Sequence, residues 1–340
     1  MPANLRKTLV VGISATALFD MEESDRIFLQ SKDKDPDNAI EAYRNYMLAN
    51  EDIPLQPGTG FPIVEALLGL NRYQQDSDLP LVEVVVMSRN SPDTGVRILN
   101  TIRNNKLAIS RSAFTAGETV VDYLAAFDVD LFLTTSIEDA QKVIDSRACA
   151  AAVVKAPPNR HTERPEGQVR IAFDGDAVLF DDESELVYKT QGLDKFQTHE
   201  DNKQDIPLKE GPYANLLMKL SKLQERLPMR IEYSPIRIAL VTARSSPAEM
   251  RVIKTLRKWG VYVDEAFFMG GLDKTKILNA FNPHIFFDDQ DIHLDRAANT
   301  IPSGKVPYLS KSELSLSKRS SPLRVESLDK EERVRNKEIK

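Results

Sequence analysis

The sequence predicts an α/β protein whose parallel sheet is covered by helices on both faces. Strand-length apolar runs alternate with helix-length amphipathic stretches along most of the 340 residues, the pattern of parallel strands joined by crossovers. Several runs stop on polar residues: 81–87 on Ser88-Arg89-Asn90-Ser91, 169–173 on Asp174-Gly175-Asp176, 236–241 on Thr242-Ala243-Arg244, and 284–287 on Asp288-Asp289. Open parallel sheets hold ligands at the carboxyl ends of their strands, so these polar ends are where chemistry is expected. The third observation is a gapless similarity between residues 82–138 and 236–292.

The composition is that of an ordinary soluble globular protein, 41% hydrophobic and 28% charged, long enough for two domains or one large one. A net charge of −6 gives no nucleic-acid footprint, so a phosphate ligand would be held locally by metal or basic side chains. The single cysteine, Cys149, excludes an internal disulfide framework and a cysteine zinc site. The histidines (His161, His199, His284, His293) lack metal-ligand spacing. Arg6-Lys7 ahead of the apolar run 9–19 raises a secretory signal with residues 15–17 as its cleavage site. Its continuously apolar part is about five residues against the roughly 7–15 of a signal core, and the run serves equally as a buried strand. A cytoplasmic protein with no membrane-spanning segment is expected.

In order, 9–19 reads as the first strand, 22–37 as a polar stretch, 38–49 as an amphipathic helix, 54–62 as a loop and 63–71 as a helix. Gly58 and Gly60 are too sparse for a phosphate-cradling loop and mark a turn. Strand 81–87 leads to helix 94–104, a strand end at Ala113-Phe114, helix 118–126, strand 130–135, helix 137–147 and a further strand at 150–154. A Pro- and charge-rich link, 155–167, joins this half to strand 169–173. The polar insert 183–235 holds one clear helix, 214–226, with Leu216, Leu217, Leu220 and Leu223 on one face. Strand 236–241, helix 247–259, strand 265–269, helix 274–281 and strand 284–287 complete the alternation. The Ser-, Lys- and Glu-rich tail 311–340 is expected to be disordered or a detached helix. The resulting division is an N-terminal α/β half, 1–155, and a core, 166–310, carrying the insert.

In the gapless register Ser88 falls on Thr242, Ser91 on Ser245, Arg97 on Arg251, Thr101 on Thr255, Phe114 on Phe268 and Phe132 on Phe286. The chemistry separates the halves, because Lys274 falls on Val120 and Asp288-Asp289 on Thr134-Thr135. Aligning Leu18-Phe19-Asp20 with Leu179-Phe180-Asp181 puts Ile13 and Ala15 opposite Asp174 and Asp176. The expectation is a duplicated unit whose N-terminal copy lacks the acids. That copy keeps Ser14, Ser88, Asn90, Thr115 and Glu118 for one of three uses: scaffold, oligomer interface or regulatory nucleotide pocket.

Asp174 and Asp176 aim two carboxylates at one crevice, where they repel unless a cation or a shared proton lies between them. An acidic surface turn would also read Asp-Gly-Asp. The ordered set decides for chemistry: a strand ending in Asp-x-Asp, one ending in Thr242, Lys274 opening a helix, and a strand ending in Asp288-Asp289. This set resembles the haloacid dehalogenase-like phosphohydrolases, whose DxDx(T/V) pattern is matched by Asp174-Gly175-Asp176-Ala177-Val178. The strings SATALFDMEE (14–23), GFPIVEALLGLN (60–71), AFDGDAVLFDDESE (172–185), LVTARSS (240–246), TLRKWG (255–260) and PHIFFDDQ (283–290) extend it. They look like the cytosolic 5′-nucleotidase I family, the AMP-preferring type, over residues 8–310.

The resemblance implies a Rossmann-like core with an inserted cap, and Asp174 as the nucleophile toward the 5′-phosphate. It implies Asp176 as the acid for the leaving oxygen and then the base for water, Thr242 as a phosphoryl hydrogen-bond donor, and Lys274 as the neutralising cation. Lys276 competes for that last role, and the family spacing to Asp288 selects Lys274. Mg²⁺ suits the all-oxygen set of Asp174, Asp288 and the Asp176 backbone carbonyl, with Asp289 a ligand or a second acceptor. The insert 183–235 stands where such a cap covers the site, and Phe196, His199 and Tyr213 would meet the base or pack the cap. Arg244 would touch phosphate or pair with a surface carboxylate. A nucleoside 5′-monophosphate, AMP first, is the expected substrate, with a nucleoside diphosphate effector and a homo-oligomer implied. A phosphatase for another phosphomonoester would share these catalytic residues, and a silent nucleotide sensor would be expected to lose one of them.

Overall fold

The structure is a computed structural model describing residues 5–35, 38–75, 79–158, 163–165, 167–228 and 234–320. The first half runs β1 (Leu9–Ile13), α1 (Ala15–Leu18), α2 (Glu22–Lys34), α3 (Ala39–Ala49), α4 (Phe61–Gly69), β2 (Val82–Ser88), α5 (Val96–Asn104), β3 (Arg111–Phe114), β4 (Leu131–Thr134), α6 (Ile137–Ser146) and β5 (Ala150–Val154). The second runs β6 (Val169–Phe173), α7 (Glu183–Gln191), α8 (Leu193–Asn202), α9 (Ala214–Gln224), β7 (Ile236–Thr242), α10 (Glu249–Trp259), β8 (Glu265–Phe268), α11 (Thr275–Phe281), β9 (Ile285–Asp288), α12 (Asp291–Ala297) and β10 (Ser303–Lys305). Helix α13 (Glu313–Ser320) closes the described chain.

Among the described residues the ten strands form a continuous sheet in the order β3-β2-β1-β4-β5-β10-β9-β6-β7-β8. All neighbours are parallel except β5 and β10, which pair antiparallel through Val154 and Gly304. Read outward from that junction, each half has the same strand order. Strands buried on both faces need mostly apolar side chains, which is why β1 is apolar throughout and β2 and β4 are interrupted only by Glu83 and by the strand-end Ser88 and Thr134. One face forms a single core in which Val11 and Ile13 join Phe173, Leu240 and Phe287 under α4, α5, α9 and α10. On the other face each half has its own core, Val10 and Phe132 under α6, and Ala172 and Phe286 under α11 and α12. Helix α9 packs against β1 and α4 against β6, so the 1–155 and 166–310 halves share a core through exchanged helices.

Several hydrogen bonds recur at matching positions of the two halves. Asn90 N–H donates to Ser88 Oγ and Arg244 N–H to Thr242 Oγ1; Leu55 N–H donates to Thr101 Oγ1 and Leu208 N–H to Thr255 Oγ1. Ser14 N–H donates to the Leu133 carbonyl and Asp174 N–H to that of Phe287, each at 2.8 Å. This corrects the sequence alignment: Ser14 and Thr16, not Ile13 and Ala15, stand opposite Asp174 and Asp176. The slip arises because a π-helical turn, Gly175–Leu179, follows Asp174 where the shorter α1 follows Ser14.

Other expectations change as well. The polar stretch 22–37 contains α2, and the insert holds three helices rather than one, because α7 and α8 bury acids that break the apolar period. Residues 118–126 form two short 3₁₀ turns, Val121–Tyr123 and Ala125–Phe127, instead of a helix, and the first strand ends at Ile13. Strand β10 and helix α12 were not foreseen. In the tail, α13 anchors through buried Leu314; residues 321–340, like His161 in the link, lie outside the described residues.

Candidate active site

The ends of β6, β7 and β9 converge. Asp174 follows β6, and Asp288 ends β9, the adjacent parallel strand, with Asp289 next to it. Among the described residues these three can hold an ion together: one oxygen from each lies within 4.8 Å of the others, and all three are buried. Lys274, 2% exposed, lies between two of them, with Nζ 2.9 Å from Asp174 Oδ1 and 2.7 Å from Asp288 Oδ2. The loop after β8 brings it there, since Met269, Gly270 and Gly271 donate their N–H groups to the carbonyls of Thr242, Arg244 and Ala243. Lys276 shows no such contact.

Burial pushes the Asp174 carboxyl up from its ordinary value; Lys274 opposes this and the Asp288 charge adds to it. Asp289 is driven up further, by burial and then by repulsion from Glu185, Asp288 and Asp174. Its Oδ1 has no hydrogen-bond partner, and Oδ2 accepts from the Tyr308 hydroxyl. Three buried, mutually repelling carboxylates with an unpartnered oxygen are the donor set of a hard divalent cation, so the residues present fit Mg²⁺. Thr242, 1% exposed, ends β7 beside Gly175: a Cβ on that glycine would lie 3.2 Å from Thr242 Oγ1, so glycine lets the two strand ends close up.

Asp176 points elsewhere. Its side chain is absent from the carboxylate cluster and is held by the Arg244 fork, Nε to Oδ2 at 2.9 Å and Nη2 to Oδ1 at 2.6 Å. Arg244 thus pairs with carboxylates, but not with the surface carboxylate expected: it is itself buried and holds Asp176 and the buried Glu200. Its Nη1 donates to Glu200, and its guanidinium lies 5.5 Å above the Phe196 ring. His199 pairs with Glu200 and Glu183. Tyr213, fully buried, packs between Phe173 and Phe287 in the core, so it does not face a base. Sequence reasoning missed Glu185, Glu200 and Tyr308: acids on polar helices look like a solvated face, and Tyr308 lies beyond the last recognised strand. A cavity of about 300 Å³ lies nearby between the halves, lined by Asp130, Arg147 and Cys149 on one side and Ala177, Asp182 and Tyr308 on the other.

A parallel sheet that gathers a lysine-bridged, cation-competent set of buried carboxylates at adjacent strand ends defines an α/β protein with an acidic, metal-type centre. The chain belongs to the 5′-nucleotidase family: the family model described as 5′-nucleotidase matches residues 1–313. It is 36% identical over 302 residues to the human protein named cytosolic 5′-nucleotidase 1B, an alignment covering 87% of this chain and 48% of the relative. The chain therefore spans about half the length of that relative. No solved structure matches it with significance. Among the described residues no helix is long and apolar enough to cross a membrane.

Proposed function

We propose that this chain is a Mg²⁺-dependent cytoplasmic 5′-nucleotidase that releases phosphate from nucleoside 5′-monophosphates, AMP foremost, through a phosphoryl group carried on Asp174. The observation that carries the reading is Lys274 lying between Asp174 and Asp288 at the ends of adjacent strands. Two buried carboxylates and a cation within one crevice support a nucleophile, a charge-neutralising lysine and a metal-type acid, and the family match supports the substrate class. In this reading the two halves are copies of one haloacid dehalogenase-like unit, α7 to α9 form the cap, and the N-terminal copy serves as scaffold. The matched strand orders and hydrogen bonds support the duplication.

Asp174 attacks phosphorus as the bond to the 5′-oxygen breaks, and Asp176 gives its proton to that oxygen. Asp176 then takes a proton from water, which cleaves the aspartyl-phosphate and restores Asp174 with release of phosphate. Thr242 donates to a phosphoryl oxygen, and Lys274 offsets the charge that develops there. Mg²⁺, held by Asp174, Asp288, Asp289 and the Asp176 carbonyl, would supply charge neutralisation of the phosphate.

The test is phosphate release from nucleoside 5′-monophosphates and sugar phosphates, with Mg²⁺ or chelator, by wild type and Asp174→Asn. Mg²⁺-dependent release from AMP that vanishes in the variant is expected. Release confined to sugar phosphates would keep the chemistry and discard the substrate; no turnover with nucleotide binding intact would replace the enzyme by a sensor.

A further inference from the structure

Glu200 is a carboxylate with no exposed surface, set on α8, and it gathers an unusual number of partners. Arg244 Nη1 donates to Oε2, while Arg251 Nη1 and Ser184 Oγ reach Oε1 at 2.8 Å and His199 Nδ1 lies 3.0 Å from it. Arg244 is 3% exposed and Arg251 likewise 3%. A buried Arg–Glu–Arg cluster is typically no more stabilising than apolar packing of the same volume, so stability alone gives little reason for it.

The molecule contains its own control. Arg97 and Arg251 occupy matching positions on α5 and α10 and make the same structural bond, Nε to the Ile53 carbonyl at 3.0 Å and to the Ile206 carbonyl at 2.8 Å. That bond belongs to the shared scaffold. The remainder differs between the halves. Where Arg251 meets Glu200, Arg97 lies 5.5 Å over the Tyr46 ring. Where Arg244 forks onto Asp176, its counterpart Asn90 donates to the Tyr43 hydroxyl at 3.1 Å. The arginine–glutamate relay occurs in the half that has the acids.

We propose that Glu200 and Arg244 are positioning residues for Asp176: Glu200 anchors the guanidinium, and the guanidinium aims and receives the Asp176 carboxylate. The inference rests on the reading of Asp176 as the proton donor. Glu200 takes Nη1, leaving Nε and Nη2 for Asp176, so the fork keeps its place while Asp176 exchanges a proton. When Asp176 protonates the leaving 5′-oxygen it becomes a carboxylate, and the fork is already set to donate to both oxygens of that ion. Because Glu200 belongs to α8, the relay also ties the acid's geometry to the docking of the insert helices.

The discriminating measurement is kcat/KM, which reports steps through phosphoryl transfer, for a nucleoside 5′-monophosphate and its analogue with sulfur as the bridging 5′ atom. The thiolate departs without needing a proton. Glu200→Gln and Arg244→Ala are expected to lose roughly 10–100-fold on the oxygen ester while remaining near wild type on the sulfur ester. Arg244→Lys, which keeps the charge, should recover part of that loss and serves as the working variant should Glu200→Gln fail to fold. Equal losses on both esters would overturn the relay and leave a purely structural cluster. A wild type that turns over neither ester would overturn the nucleotidase reading itself, and the relay with it.

Discussion

Lys274 and Asp174 are joined at 2.9 Å with almost no solvent contact, and Lys274 is shared with Asp288 at 2.7 Å. Burial pulls the ammonium toward neutrality, but the two carboxylates together outweigh it and hold the lysine charged. Lys274→Met would leave two buried carboxylates facing each other, costing about 3–5 kcal/mol. Carboxyls raised above their unfolded values oppose folding at neutral pH and stop doing so once protonated. The expected deficit, measured by urea unfolding in chelator, is therefore large at pH 7.5 and smaller at pH 5. A deficit that grows on acidification would contradict this.

Asp289→Asn separates metal affinity from stability. It removes one of three crowded carboxylates, so the chelated protein should gain about 1 kcal/mol while its stabilisation by Mg²⁺ shrinks. Melting temperatures with and without Mg²⁺ check both signs. A variant destabilised in chelator would show that Tyr308, not the repulsion, dominates at this carboxyl.

His284 predicts a pH dependence away from the site. It is buried and its Nδ1 accepts the Arg170 N–H at 3.0 Å, the role that Asp130 Oδ2 plays for Val10. Burial, then the Arg164 charge, lowers it from 6.5 to about 4. A lowered histidine stabilises the fold fully above its unfolded value and loses that contribution as pH falls from there through the folded value. Between pH 7.5 and 5 the loss is on the order of 2 kcal/mol. His284→Asn should lose distinctly less over the same interval, and parallel pH profiles would count against the assignment.

Gly211 lets the segment after α8 cross the turn that follows β6. A Cβ there would sit 2.2 Å from the Phe180 carbonyl oxygen, whereas at Gly58, its counterpart, the closest atom is the Ala17 oxygen at 2.9 Å. Both neighbours are backbone and cannot rotate away. Gly211→Ala should cost about 3 kcal/mol or more, and Gly58→Ala less. Urea midpoints of the two variants give the order directly, and the reverse order would mean that the turn after β6 yields more easily than α1.

The strands that frame the site were legible because a strand buried on both faces must be apolar and must stop where polarity begins. Asp174, Thr242 and Asp288 could be placed at strand ends on that ground. The polar helices α2, α7 and α8 were not recognised, although α2 carries Glu22, Glu23 and Asp25 in its first turn and Lys32 and Lys34 in its last, a charge order that favours a helix. Periodicity registers buried apolar stripes, and α7 and α8 instead bury Glu185 and Glu200 against arginine, lysine and tyrosine partners.

The sequence by itself determined the alternation of strands and helices and the acids at the strand ends, because each depends on near neighbours along the chain. Tertiary structure alone decided that β5 and β10 weld the halves into one sheet, that Lys274 bridges Asp174 and Asp288, and that Arg244 holds Asp176. Those outcomes depend on distances between residues remote in sequence. Burial sets the strength of each pairing, and it is a property of the assembled core rather than of any local stretch.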